Sequence, residues 1–432
     1  MKCAIILLAA AALAADRTEV SRRLKERTGH ELNPAAFTDP RKPPSLPPGV
    51  TLAERITESD AVAIALWNNA ALHADLAALG VARAELVDAG LLRNLNLQML
   101  LPVGVKPFEM LLQAPVEALW QRPRRVAAAR LQLDHIGEGL VQNGLDLARD
   151  VRRAHAALAL AGERARISAQ SARQRFEIAE LYEKRLAAGD ISDLEAAQTR
   201  LDARAEQAQM TTYARDVEIA REALRALMGL RGDKTPFTAA AADAAPAPPP
   251  DWEQLLETAV SSRPDLRAAE VAIQAAVQRA GWERARIVNL LIPGLSVKGI
   301  GDKGIKAGPG FQADLPLWNR NEGGRSRADA EVERATHAYL ALRARIEQEV
   351  RTARLELAQA REALDHVRSR LLPEMRRTIE LAEKAYAAGD TSYLDSLIAG
   401  RRLYDIQQQE ASALAAARRS EAELERSVGR RL

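Results

Sequence analysis

Leu181-Tyr-Glu-Lys-Arg-Leu-Ala-Ala-Gly-Asp-Ile-Ser-Asp-Leu194 returns two hundred positions later as Leu381-Ala-Glu-Lys-Ala-Tyr-Ala-Ala-Gly-Asp-Thr-Ser-Tyr-Leu394, with nine of the fourteen pairs identical. A match that dense inside one chain marks a duplicated unit, and duplication constrains the fold before any single element does. Each copy reads as a helix stop followed at once by a helix start. Gly189 and Gly389 supply the left-handed position after a helix. Asp190 and Ser192, or Asp390 and Ser392, then offer side-chain oxygens to the first N–H groups of the next helix. Two long antiparallel helical hairpins, with turns built alike, follow from this spacing.

The duplication reaches beyond the turns. Ala65-Leu-Trp-Asn-Asn-Ala-Ala-Leu72 corresponds to Ala259-Val-Ser-Ser-Arg-Pro-Asp-Leu266 at an offset of 194, so the second copy gained about six residues before its turn. The expected organisation is a signal peptide (1–15), an N-terminal arm (16–55), a first repeat (56–230), a Pro/Ala-rich linker (231–251) and a second repeat (252–432). The signal rests on Met1-Lys2, the apolar run Cys3 to Leu13 and the small residues Ala14 and Ala15. Cys3, the only cysteine of the chain, lies within it. The arm is polar and proline-rich and reads as extended, with a short helix around Val20 to Arg27. Ala239 to Pro250 of the linker is too rich in proline and alanine to pack a core. Beyond the signal no stretch approaches the ~18 continuous apolar residues of a spanning helix, so the exported chain is expected to be soluble or held in a membrane by strands.

Each repeat has the same order. A helix is expected from about Ser59 to Leu92, and another from about Trp252 to Val288 with Pro264 interrupting its early turns. Strand-like segments follow. Asn94-Leu-Asn-Leu-Gln-Met99 alternates polar and apolar residues, the signature of a half-buried strand; Phe108 to Ala114 alternates more weakly. In the second copy the strand-like runs are Leu290 to Ile300 and Ile305 to Leu317. Long helices then cover Arg124 to Ala187 and Gly324 to Ala388. Val151, Ala154, Leu158, Ala161 and Ala165 recur at helical spacing, as do Leu357, Ala360, Leu364, Val367, Leu371, Met375, Ile379 and Ala382. A 64-residue rod would run about 95 Å. Pro373 should bend the second one. The alanines on these stripes let helix axes approach closely, but two isolated rods have little core to bury, which points to self-association.

Composition narrows the function. Aromatic residues are 4% and charged residues 28% of the chain, with both signs interspersed and a net charge of +3. Long helices fit this profile, and no electrostatic footprint for nucleic acid is present. Gly299-Ile-Gly-Asp-Lys-Gly304 satisfies a dinucleotide-binding spacing, but Gly308-Pro309-Gly310 follows where that motif needs a helix N-terminus. It reads instead as a tight turn between strands. The histidines (30, 73, 135, 155, 337 and 366) show no metal-ligand spacing. No nucleophile elbow, phosphate loop or carboxylate pair appears, so neither an enzyme, a metal site nor a cofactor is expected. Four short strands cannot close a barrel, which takes about eight, and open edges in lipid are prohibitive. Either several chains pool strands in a membrane, or two soluble β-hairpins cap a helical bundle.

This layout resembles the TolC-like outer membrane efflux proteins over residues 55–430. Ala65 to Leu72 and Ser262-Arg-Pro-Asp-Leu-Arg-Ala-Ala-Glu270 are similar to the family's two repeat-opening segments. Leu315-Pro-Leu-Trp-Asn-Arg-Asn-Glu-Gly323, leading into Arg327-Ala-Asp-Ala-Glu331, resembles the strand-to-helix passage of its heavy-metal efflux branch. Tyr386-Ala-Ala-Gly-Asp-Thr-Ser-Tyr-Leu-Asp395 is similar to its periplasmic turn.

The resemblance implies a mainly α fold with a small β part. The duplicated helical hairpins would form an α-barrel, and the two β-hairpins would give four strands per chain to the β-barrel of a homotrimer. It implies an outer-membrane channel with a long periplasmic part, conducting passively for an inner-membrane pump and a periplasmic adaptor. Docking of the adaptor would fall on Gly189, Asp190, Ser192, Leu194, Gly389, Asp390, Ser392 and Leu394. Tyr386, Glu195 and Asp395 would be gate residues. Thr391 stands where some members have an arginine, and Ile398 where some have an aspartate, so closure is built differently here. The rival reading is a soluble periplasmic coiled-coil scaffold or adaptor. An adaptor should carry glycine-rich half-motifs of a lipoyl-like domain, and none is visible.

Overall fold

A computed structural model describes residues 2–34, 44–52, 54–92, 94–101, 108–113, 117–240, 244–285, 292–299, 305–312, 320–388, 390 and 393–432; the side chains of 2–14, 117–120, 292, 293, 299, 311, 312 and 393–399 lie outside that description. Helix α1 (Lys2–Thr28) precedes a two-residue strand β1 (Arg55–Ile56). The first repeat is α2 (Glu58–Asn68), α3 (Ala70–Gly90), β2 (Asn96–Leu100), β3 (Glu109–Gln113), α4 (Glu117–Ala187) and α5 (Asp193–Leu227). A short strand β4 (Thr238–Ala239) follows. The second repeat is α6 (Trp252–Ser262), α7 (Pro264–Ala285), β5 (Ile292–Gly299), β6 (Ile305–Gln312), α8 (Glu322–His366), a π-helical segment (Val367–Leu371), α9 (Leu372–Ala388) and α10 (Tyr393–Val428). The two repeats thus share one element order, as the sequence repeat predicts.

Several boundaries differ from the sequence expectation for identifiable reasons. The single helix expected over Ser59–Leu92 breaks at Asn69, which closes α2 and caps α3. The long helix of the first repeat begins at Glu117, reaching back over Pro123. In the second repeat the bend expected at Pro373 takes the form of the π-helical turn just before it. Proline has no N–H to give to the carbonyl four residues back, and a wider turn absorbs the mismatch. The linker is not wholly structureless, since Arg55 and Ile56 pair in parallel with Thr238 and Ala239.

The chain divides into two compact units. One comprises residues 1–20, 74–142 and 264–345. It holds one four-stranded sheet in the order β2-β3-β5-β6, every neighbour antiparallel. The two hairpins are therefore joined through β3 and β5. Its helices bury Leu76, Leu79, Ala82, Leu133, Leu140, Val141, Ala280 and Ala328. Asn321 sits in the left-handed region at φ 58. Its side-chain nitrogen donates to the Glu283 carbonyl at 3.0 Å and carboxylate at 2.7 Å, fixing the approach to α8.

The other unit comprises residues 21–73, 143–263 and 346–432. Leu24, Ile56, Ile64, Leu66, Leu158, Ile167, Leu224, Met228, Phe237 and Leu255 are among its fully buried side chains. Of the expected stripes, Val151, Leu158, Ala161, Leu357, Leu364, Val367 and Met375 are buried, while Ala154, Ala165, Ala360, Leu371, Ile379 and Ala382 are half-buried. Burial thins towards the hairpin turn, as expected of narrow rods with little interior of their own.

Candidate functional site

Strand register assigns every β residue to one of two faces, because side chains alternate along a strand and paired residues share a face. Leu97 pairs with Leu112 and Met99 with Met110. These continue to Leu295 and Val297 on β5, and from there to Pro309 and Ala307 on β6. One face is apolar across all four strands. On the opposite face Asn96, Gln98, Glu109, Gln113, Ser296, Lys298 and Lys306 alternate in, with Gly294, Gly308 and Gly310. Glu109 and Lys298 form an ion pair of 2.6 Å there. Leu97, Met99, Leu295 and Ile305 are all exposed. A sheet with an uncovered apolar face, a polar face and two unpaired edges, β2 and β6, is not a finished object in water. Among the described residues no single helix is long and apolar enough to cross a membrane.

The first helical turn has the geometry its sequence predicts. Gly189 adopts φ +81. The Asp190 N–H donates to the Arg185 carbonyl at 2.9 Å and the Gly189 N–H to the Leu186 carbonyl at 3.0 Å, the paired bonds of a Schellman stop. Ser192 then opens α5 with a capping box. Its hydroxyl oxygen accepts from the Glu195 N–H at 3.3 Å, and Glu195 Oε2 accepts from the Ser192 N–H at 2.8 Å and from its hydroxyl at 2.9 Å. These bonds to the Ser192 backbone and hydroxyl hold the Glu195 carboxyl below its ordinary pKa. Leu194, in the first turn of α5, is 67% exposed.

In the second turn Gly389 and Ser392 lie outside the described residues, as do the side chains of Leu394 and Asp395. Asp390 is exposed, and its N–H donates to the Ala385 carbonyl at 2.9 Å. That bond repeats the Asp190–Arg185 bond two hundred residues on. Tyr386 is exposed on α9. Glu195, the gate candidate of the first repeat, accepts from the Ser192 N–H and hydroxyl.

Sequence reading missed a second duplicated device, where the helix pair of each repeat meets the end of its return helix. Asn69 Nδ2 donates to the Leu227 carbonyl at 3.0 Å, while Asn69 Oδ1 caps α3 at Ala71 and Leu72. Arg263 Nη1 donates to the Ser427 carbonyl at 3.0 Å and to Glu349 Oε2 at 2.7 Å. Arg426 also donates to Glu349 at 2.7 Å, and to Asp146 at 2.8 Å. Each return helix ends at a positive-φ glycine, Gly229 (φ +68) and Gly429 (φ +83), pressed on the joint. A Cβ on Gly229 would lie 2.5 Å from the Asn68 carbonyl oxygen. The shared offset of 200 between Gly229 and Gly429 was the available signal.

Residues 255–430 match the sequence profile of the outer membrane efflux protein family. The second repeat therefore carries this family's sequence pattern. The chain's duplicated joints and turns extend the same layout through the first repeat. Among curated relatives it is similar to the cobalt-zinc-cadmium resistance protein CzcC of Cupriavidus metallidurans, 24% identical over 317 residues, covering 73% of this chain and 75% of the relative. In fold it is similar to CusC, with a TM-score of 0.70 at 19% identity over 91% of this chain and all of that one. It is also similar to the outer membrane protein VceC of Vibrio cholerae, with a TM-score of 0.67 at 19% identity over 87% of this chain and 96% of that one.

Among the described residues no group of three His, Cys, Asp or Glu side chains is placed to hold a metal ion. Among the described residues the chain offers a two-faced sheet and long, thinly cored hairpins.

Proposed function

We propose that this chain is an outer membrane efflux protein, one third of an outer-membrane channel. Three copies pool their sheets into one barrel of about twelve strands and their hairpins into a periplasmic tunnel. The observation that carries this reading is the uninterrupted apolar face across β2, β3, β5 and β6, backed by a polar face on the same strands. Lipid satisfies the first face and water the second. Pairing β6 of one copy with β2 of the next removes both edges, which lipid would not tolerate open. A soluble scaffold or adaptor would leave the same apolar face in water.

The channel does no chemistry. It supplies a water-filled path, and an inner-membrane pump supplies the energy and selects the cargo. The helical turns around Gly189 and Asp390 form the inner end and dock a periplasmic adaptor, with exposed Leu194 as an apolar contact. Tyr386 lines the gate; Glu195 fixes the turn through its cap.

Membrane fractionation tests the central claim. The full chain should sediment with outer membranes and run as a heat-sensitive trimer band on unboiled gels. A compact monomer in the soluble fraction would overturn it. Docking has its own test, since Gly189→Pro cannot adopt the left-handed turn. This variant should keep the trimer and lose adaptor cross-linking; cross-linking at the wild-type level would remove the turn from the docking surface.

A further inference from the structure

One row of residues crosses the sheet without a break in register. Leu100 stands opposite Glu109, Glu109 opposite Lys298, and Lys298 opposite Lys306. All four positions lie on the polar face. Two lysines directly opposed on neighbouring strands repel, which costs sheet stability. The ion pair with Glu109 offsets this for Lys298. It does not reach Lys306, whose strand β6 (Ile305–Gln312) contains no acidic residue. Lys306 is exposed, and Gly308 follows it on the same face, so no side chain on β6 covers that flank.

We propose that Lys306, with Lys298 beside it, is the ion-selecting residue of the barrel interior and makes it favour anions over cations. This rests on the channel reading above. In a trimer three-fold symmetry sets the three rows at one level, giving a ring with one Glu109–Lys298 pair and one Lys306 per copy, the latter without an acidic partner among the described residues. Twelve strands spaced ~4.8 Å and tilted ~40° enclose a barrel of roughly 12 Å radius. The Debye length is ~10 Å at 0.1 M salt and ~3 Å at 1 M. Ring charges therefore reach the axis in dilute salt and fade in concentrated salt. Reversing three such charges raises cation occupancy at the axis roughly threefold at 0.1 M and lowers anion occupancy by the same factor. A divalent cation feels the ring twice as strongly as a monovalent one. Its depletion at the axis is therefore roughly threefold in 0.1 M salt.

The experiment uses the purified full-length protein in planar bilayers under a potassium chloride gradient, reading the chloride-to-potassium permeability ratio. Lys306→Glu should lower that ratio roughly eightfold at 0.1 M salt, with little change at 1 M. Glu109→Gln, which releases Lys298 from its partner, should shift it the opposite way. Conducting channels whose ratio is unchanged in Lys306→Glu would overturn the assignment and leave the channel intact; Lys306 would then only guard a strand edge. Wild-type trimers that insert but carry no current would overturn the channel reading, and the selectivity with it.

Discussion

Asn69 and Arg263, 194 positions apart, make the same bond to carbonyls that correspond in the duplication, Leu227 and Ser427, which are 200 apart. Each side chain donates from the break between two short helices to the last turn of its return helix. The geometry outlived the residue type. In the first repeat a neutral amide suffices and also caps α3. In the second an arginine does the same and adds Glu349, which Arg426 shares.

The two joints should therefore fail unequally. Arg263 is 2% exposed. Arg263→Met removes the Arg263 donor from the Ser427 carbonyl and from Glu349, which keeps Arg426. Breaking a buried pair costs about 3–5 kcal/mol; retention of Arg426 should place this variant at the lower end. Asn69→Ala loses a cap, about 1 kcal/mol, and one donor to a helix end. Thermal dissociation of the detergent-solubilised trimer, followed on gels, should rank Arg263→Met well below Asn69→Ala. Equal midpoints would mean that Glu349 draws nothing from Arg263.

Helix-end glycines separate in the same way. Gly189 and Gly229 both have positive φ, but nothing lies within 4 Å of a Cβ built on Gly189, whereas one on Gly229 strikes the Asn68 backbone. Gly189→Ala should cost only the backbone penalty of about 1–2 kcal/mol and keep the trimer. Gly229→Ala must push α2 away from the end of α5, and should reduce the yield of folded trimer in membranes several-fold. Comparable yields for the two would show that the joint yields more readily than its packing implies.

What could be read from the sequence depended on how local each signal was. The Schellman stop at Gly189 and the cap at Ser192 lie within one turn of chain, and their residue types specify them. Alternation over Asn94–Met99 located β2, whereas β3 was weaker because Leu111 and Leu112 put leucine on both faces. The pairing of β3 with β5 joins residues nearly two hundred apart, and no local pattern encodes it. Only the register made the apolar face visible. β1 and β4, of two residues each, are too short for any periodicity. Pro373 announced a bend but not its form, since the π turn depends on how the strained helix packs. Glu195, read as a gate residue by resemblance, turned out to have its carboxylate engaged within its own turn.

That engagement sets a pH dependence. The Ser192 N–H and hydroxyl stabilise the Glu195 carboxylate, lowering its pKa from an ordinary 4.5. A depressed carboxylate contributes stability that is complete above the unfolded pKa and is lost as pH falls through the folded one. The cap should therefore stay intact at neutral pH and through mild acid, and open only below 4.5. Hydrogen exchange of the Ser192 and Glu195 amides, corrected for intrinsic rates, should lose protection in that range. Glu195→Gln should show no such pH step. A step at the ordinary glutamate value in the wild type would mean that the capping bonds do not persist in solution.

Leu111 and Leu112 are adjacent leucines on β3 with opposite surroundings, and they test which side of the sheet meets lipid in the proposed barrel. Leu112 lies between Leu97 and Leu295, in the apolar band. Leu111 lies between Gln98 and Ser296, on the polar side. An arginine on the lipid side of a barrel costs about 2–4 kcal/mol near the bilayer midplane. The trimer repeats that cost in every copy. On the lumen side the same arginine remains in water. Leu112→Arg should thus abolish heat-sensitive trimers in outer membranes, while Leu111→Arg should assemble and raise the chloride-to-potassium permeability ratio. The reverse outcome, assembly of the Leu112→Arg variant and none of Leu111→Arg, would turn the barrel inside out. Failure of both variants while a neutral Leu111→Gln assembles would show that neither face is wet.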